Sequence, residues 1–371
     1  MSEIEIGRGK RGRVAYSFDE VAVAPSRRTR DADEVSTAWQ IDAYRFEAPI
    51  IAAPMDSVVS PASAVALGRL GVPAVLNLDG LWTRYDDPTP LLEQISSIPD
   101  SEAIPFLQRA YHERAVDPGL VRERIASIRE SGVTVAVGVS PSSAADLAPL
   151  AAAAGTDLLV IRGTTVSAEH VSSAHEPLNL KTFIHELEVP VIVGGCATYQ
   201  AALHLMRTGA AGVLVGFGGG AAHTTSDVLG IRVPMASAVA DVAAARRDYL
   251  DESGGRYVHV IADGSVGSSG SLVKAIACGA DAVRVGSMLA RASDAPGHGA
   301  HWGAEAWHAS LPRGERKQLG VVGTFEEILV GPSATADGSA NLIGALRKAM
   351  ATSGYSDIKA FQRIDVVLDP Q

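Results

Sequence analysis

Short, nearly continuous apolar runs recur along the chain, and eight of them read as β-strands: PIIAAP (49–54), PAVLNL (73–78), VTVAVGV (133–139), DLLVIR (157–162), PVIVGG (190–195), AGVLVG (211–216), YVHVIAD (257–263) and DAVRVG (281–286). Several carry apolar residues at successive positions instead of alternating them with polar ones, the pattern of a parallel strand covered on both faces. Between them apolar positions return at helical spacing, as in YQAALHLMRTGA (199–210), SSGSLVKAIACGA (268–280) and MASAVADVAAARRDYLDESGG (235–255), the last ending in a glycine pair suited to a C-cap. This alternation predicts a (β/α)8 TIM barrel. The stretch 81–131 is less periodic, with a helix predicted over 120–131. After Ser287 a Gly/His/Pro-rich excursion (294–340) precedes a helix at 342–350. The expectation is a single domain over 1–371: an N-terminal arm (1–48), the barrel (49–290), and a flap-like excursion with a C-terminal helical segment (291–371), without a second domain.

Charge and cysteine content narrow the function. The formal net charge is −10, and basic residues are scattered except in GRGKRGR (7–13) and around Thr29, both read as a solvated arm. No basic face suited to nucleic acid emerges. Two cysteines, Cys196 and Cys278, cannot form a disulfide framework, the N-terminus lacks a signal-peptide apolar core, and no apolar run approaches membrane-spanning length. A cytoplasmic protein without membrane or nucleic-acid partners is expected.

In a barrel every strand's C-terminal end opens on one face, where active sites of this fold are built. There fall APMD (53–56), GGCAT (194–198), GFGGG (216–220), ADGSVGSSG (262–270) and GS (286–287). Gly264, Ser265, Gly267, Ser268, Gly286 and Ser287 bring amides and hydroxyls without bulk, the composition of a phosphate cradle or of ordinary turns. Asp263, ending the seventh strand, is placed as an acceptor for ribose hydroxyls or as a turn aspartate.

Together with YSFDEVAVAPSR (16–27), APMDSV (53–58), PVIVGGCAT (190–198), VGFGGGAAHTT (215–225), VIADGSVGSSGSLVKAIACGADAV (260–283) and VGSMLA (285–290), in this order, the chain resembles the IMP dehydrogenase/GMP reductase family. It is most similar to a short actinomycete branch without regulatory CBS modules, for which there is no room between Leu78 and Val133. The resemblance implies a purine nucleoside 5'-monophosphate (IMP, XMP or GMP) as ligand. Asp263 would take the ribose, Gly220, Ala221, Gly264, Ser265, Gly286 and Ser287 the phosphate, and Met55 would lie near the purine. The loop Gly303, Ala304 and Glu305 would bind the base, and His301 falls where the family has a phosphate-contacting tyrosine. NAD or NADP is the implied cofactor, with Arg162, Thr164 and Gly195 at its site. A potassium ion at the 216–225 loop and a homotetramer are further implications, and Arg313 and Arg316 are candidates for a catalytic flap.

The pattern also departs from the family. His223 stands where a cysteine thiolate adds to the purine. A neutral imidazole is a poorer nucleophile and its adduct would be cationic. Ala221 replaces a phosphate-binding serine, Gly195 an asparagine, and Arg162 the aspartate that contacts the nicotinamide ribose. Three readings stand for His223: a general acid or base with Thr225, a ligand-contacting donor, or a surface loop histidine. Arg162 reads as the partner of an anion, NADP included, or as half of a structural ion pair. Cys196 reads as a packing residue ahead of a substitute nucleophile, and Cys278 as inert. His298 and His301, with His308 beyond, lack the carboxylate or cysteine that would complete a zinc set, so no metal site is expected. His170 and His175 are read as solvent-facing. Two functions follow: an IMP dehydrogenase-like oxidoreductase of purine metabolism and GMP biosynthesis, or a non-catalytic purine-nucleotide sensor of the same fold, with GMP reductase-like activity a weaker third.

Overall fold

The computed structural model describes residues 3–173, 177–308 and 314–369. Eight parallel strands form the barrel: Ile50–Ala52 (β1), Val75–Asn77 (β2), Ala136–Val139 (β3), Leu158–Arg162 (β4), Val191–Cys196 (β5), Gly212–Gly219 (β6), His259–Gly264 (β7) and Ala282–Val285 (β8). Each neighbours the next in chain order, and β8 pairs with β1. The Ala52–Ala74 bridge closes the cylinder, with the Ala52 N–H donating to Pro73 O at 2.9 Å. All eight sequence-predicted strands are present. The sixth runs three residues further than expected because Gly219 pairs with Gly264, drawing part of the glycine loop into the sheet.

Helices cover the outside. The first, Pro61–Arg69, starts at a Ser60–Ser63 capping box with proline at its first turn, which satisfies donors that the helix itself cannot. The helices Tyr199–Met206, Met235–Glu252 and Ser269–Ala277 match the predicted periodic segments. Leu342–Thr352 packs on Ser269–Ala277 and joins the main core through Leu342, Leu346 and Met350.

Two stretches behave differently from the reading of the sequence. The N-terminal arm is more than a solvated tail. The exposed pair Glu3–Gly7 and Lys10–Arg13 fits that description, but the hairpin Trp39–Ile41 with Tyr44–Phe46 plugs the N-terminal end of the barrel. Its Trp39, Ile41 and Phe46 cluster with inward residues of the strands, such as Ile51, Ile192 and Ile261. Further along, Val21–Ala24 pairs antiparallel with Asp365–Leu368. Between residues 81 and 131 the chain forms three helices, Thr89–Ser97, Asp100–His112 and Pro118–Glu130, where one was predicted. The first two take Leu92, Ile95 and Leu107 into a small core with Ala300 and Trp302 from the distant excursion, a partner that local periodicity does not reveal. Among the described residues no helix is long and apolar enough to cross a membrane.

Candidate functional site

Side chains of a strand alternate between the two faces of the sheet, so the inward row of each barrel strand ends in one residue at the mouth. On β2, β4, β7 and β8 that residue is polar: Asn77, Arg162, Asp263 and Arg284. Above them lies a cavity of about 490 Å³ walled by Met55, the 218–221 loop, His223, the 263–268 turn, Gly286, Ser287 and His301. Most of the residues expected at phosphate, ribose and purine therefore converge: Met55, Gly220, Ala221, Asp263, Gly264, Ser265, Gly286, Ser287 and His301 share this wall.

The turn after β7 is built on two left-handed residues, Gly264 (φ +102°) and Ser265 (φ +56°). A Cβ at Gly264 would lie 2.9 Å from the Gly219 backbone, so only glycine allows this close approach. The Ser265 N–H donates to Gly219 O at 2.7 Å and is engaged within the wall. Gly267 and Ser268 complete the rim.

Asp263 is held by a residue that the sequence reading missed. Arg284 Nε donates to Asp263 Oδ1 at 2.7 Å and Nη2 to Oδ2, a bidentate fork. The local hint is an arginine interrupting the apolar strand DAVRVG two residues after the inward-facing Ala282, which marks Arg284 as inward but does not name its partner. Each carboxylate oxygen retains a further lone pair for a hydroxyl donor.

His223 sits in the loop after β6 and fronts this cavity. Its Nδ1 is buried without a hydrogen-bond partner. The ring lies between two glycines: a Cβ at Gly220 would be 2.8 Å from Nδ1 and one at Gly303 3.4 Å from Cε1. Burial pushes its pKa below the usual histidine value against the opposing pull of Glu305 and Asp263, so the ring is neutral at neutral pH. His301 is likewise neutral, pushed down to about 3 by burial and then by His223, with Nδ1 3.3 Å from Ser57 Oγ. Thr225 does not pair with His223. Its buried hydroxyl donates to Glu305 Oε1 at 2.5 Å, and the same carboxylate accepts from Thr164 Oγ1 (3.2 Å) and the Thr224 N–H (3.3 Å). Glu305 thus ties the loops after β4 and β6 to the 303–307 segment.

A second cavity, of about 590 Å³, opens beside the first and includes Arg162, Thr164, Ala304, Glu305 and Trp307 in its wall. The two share Gly218, His223, Asp263 and Arg284. Arg162 spans the mouth to donate from Nη2 to Pro54 O at 2.9 Å and Asn77 Oδ1 at 3.2 Å. Gly195 is not on either wall: a Cβ there would meet Thr164 O at 2.7 Å and Gly216 O at 2.9 Å, leaving no space for an asparagine. Cys196 is buried, its thiol donating to Leu214 O at 3.4 Å, and burial pushes its pKa up to about 12, so it stays protonated and unreactive. Arg316 points away from the mouth to Ile95 O (2.6 Å), Ile98 O (2.8 Å) and Asp100, where it anchors the inserted helices. Arg313 and His175 lie outside the described residues. Among the described residues no three His, Cys, Asp or Glu side chains are grouped to hold a metal ion. In the 216–225 loop the Gly219 and Gly220 carbonyls accept from the Ser265 and His223 N–H groups.

Behind the mouth, Asp56 is buried with Oδ1 unpartnered, while Oδ2 accepts from the Tyr111 hydroxyl and the Leu81 N–H (3.2 Å). Burial raises its pKa to about 6 despite these bonds. Trp302 Nε1 donates to the Tyr111 oxygen at 2.9 Å, so this chain links the APMD loop to the excursion.

Comparison with known proteins adds an independent line. The model of the IMP dehydrogenase / GMP reductase domain matches residues 15–310. An uncharacterized oxidoreductase of Mycolicibacterium smegmatis is 54% identical over 98% of this chain and 99% of its own length. One of Mycobacterium leprae is 52% identical over the same shares. An inosine-5'-monophosphate dehydrogenase of Thermoplasma acidophilum is 42% identical over a shorter stretch, 39% of this chain and 27% of its own. The crystal structure of an IMP dehydrogenase/GMP reductase-like protein from Corynebacterium glutamicum superposes with a TM-score of 0.94 at 47% identity, covering 99% of this chain and 97% of that one.

Proposed function

The chain belongs to the IMP dehydrogenase / GMP reductase family, and from that premise we propose that it binds a purine nucleoside 5'-monophosphate in the first cavity without forming a covalent thiolate adduct. One observation carries this reading: Asp263, His223 and the small-residue turns after β6, β7 and β8 line one cavity. The 5'-phosphate lies against the 264–268 turn and Gly286–Ser287, and the ribose hydroxyls donate to Asp263. The purine extends toward Met55 and Gly303, which puts His223 beside the ring. A neutral imidazole there donates or accepts one proton and recognises the base. It does not stand in for a thiolate, and Cys196 is too deeply protonated to replace one.

Nicotinamide dinucleotide, when bound by members of this family, supplies or accepts a hydride. The second cavity does not fit the ribose contact implied for it. Arg162, a donor, stands where a carboxylate acceptor is required, so no step is derived through that cofactor. A second reading, turnover of IMP with NAD or NADP, is favoured by one feature, the meeting of two cavities across His223.

Thermal unfolding with IMP, XMP and GMP tests the first reading. A ligand at a hundredfold its Kd adds about 2.7 kcal/mol of stability, so a clear rise in Tm is expected, and Asp263→Ala abolishes it. No shift with any of the three removes the reading. Absorbance of reduced nicotinamide during incubation of IMP with NAD or NADP tests the second: a flat trace excludes turnover by the native chain. Gain of signal in His223→Cys would show that only the thiol is missing.

A further inference from the structure

Two guanidinium groups front the second cavity, and the chain leaves both incompletely answered. Arg284, its side chain only 9% exposed, commits Nε and Nη2 to Asp263, while Nη1 is buried with no partner. Arg162 bonds only neutral acceptors, forms no ion pair among the described residues, and has its Nε buried without a partner. The nearby carboxylates are engaged elsewhere. Asp79 accepts from the Ser140 N–H at 2.7 Å, Asp56 from Tyr111 and Leu81, and Glu305 from three threonines. Burial and the like charge of Arg284 lower the Arg162 pKa against the opposing pull of Asp79, Asp263 and Asp56, none of which hydrogen-bonds it, so the two cations share one environment.

We propose that the second cavity contains an oxyanion subsite, in which a carboxylate or phosphate group of a second ligand bridges Arg284 and Arg162. Planar guanidinium forks match these two anions in shape, and a counter-ion offsets the cost of a desolvated cation. A neutral sugar at this position would leave that cost in place. As a second substrate the ligand rests on the nucleotide reading above; the subsite itself does not. A free small oxyanion and a phosphate ester on a dinucleotide share this chemistry.

Calorimetric titration of the full chain with oxalate, inorganic phosphate, NAD and NADP, each with and without IMP, separates the sources. Binding of oxalate or phosphate identifies a free oxyanion, and binding of a dinucleotide identifies a phosphate ester. Whichever binds is expected to weaken about tenfold or more in Arg162→Gln, the effect of losing a hydrogen bond to a charged group. Absence of binding by all four, or affinities unchanged in the variant, overturns the subsite. Should Arg162→Gln fail to fold, wild-type crystals soaked in selenate give the answer through selenium anomalous scattering. A peak in hydrogen-bonding reach of Arg284 Nη1 supports the proposal, and peaks only elsewhere, or none, refute it. If IMP alone does not bind while an oxyanion does, the nucleotide reading fails and the subsite stands.

Discussion

At the scale of single residues, the site is defined by groups whose charge state is set by burial. His223 and His301 are held neutral, so the positive charge on the wall of the first cavity is that of Arg284, already paired with Asp263, beside the backbone amides and hydroxyls of the turns. Asp56 is the clearest pH-dependent group. Its pKa rises from 3.8 to about 6, so the folded chain holds that proton more tightly than the unfolded one. The resulting stability is full below about pH 4 and is lost as pH rises through about 6, a change on the order of 3 kcal/mol. Asp56→Asn cannot ionise, so the variant gains on the wild type between about pH 5 and about pH 8. Paired melting curves at the two pH values check this, and a pH-independent difference would refute it. Of the site residues, Asp263 and the glycine turns were legible because their chemistry resides in residue type. The grip of Arg284 on Asp263 was not, since it joins side chains 21 positions apart on neighbouring strands.

Elements were legible where apolar period and length agreed. The eight strands and the helices after β5, β6 and β7 are of this kind. The segments at 39–46 and 81–112 were not, although Trp39, Ile41 and Phe46 alternate with exposed Gln40 and Arg45, and Ala103, Leu107, Ala110 and Tyr111 share one helix face. The two strands are only three residues long, and Pro88, Pro90, Pro99 and Pro105 interrupt the helical pattern. The Trp39–Phe46 hairpin, with ring centroids 5.5 Å apart, is useful only as a stopper for a cylinder built from residues much later in the chain. Trp39 is 6% exposed, and emptying such a position costs about 3–5 kcal/mol. Trp39→Ala should therefore lower the urea midpoint substantially, while the geometry of the mouth at the opposite end is kept in the folded fraction. An unchanged midpoint would show that the hairpin is not a structural plug.

At the scale of the whole molecule, the inserted helices, the excursion and three barrel loops converge above one end of the barrel. Glu305 links the loops after β4 and β6, and the Asp56–Tyr111–Trp302 chain links the loop after β1 to the inserted helices and excursion. Ligand seated among them is expected to slow amide exchange together at 216–225, 264–268 and 303–307, leaving the 39–46 hairpin unaffected. Hydrogen exchange with and without GMP measures this, and protection limited to one loop would contradict a shared site. Taken alone, the sequence determined the barrel and the face on which its glycine-rich turns fall, because period-two and period-3.6 patterns and residue identity are local properties. Only the tertiary structure decided that Thr225 serves Glu305 instead of His223, that Arg316 is an anchor, that Arg284 clamps Asp263, and that two cavities meet at one histidine. Those facts depend on which side chains from distant strands come within hydrogen-bonding reach, and closing the barrel is what brings them there.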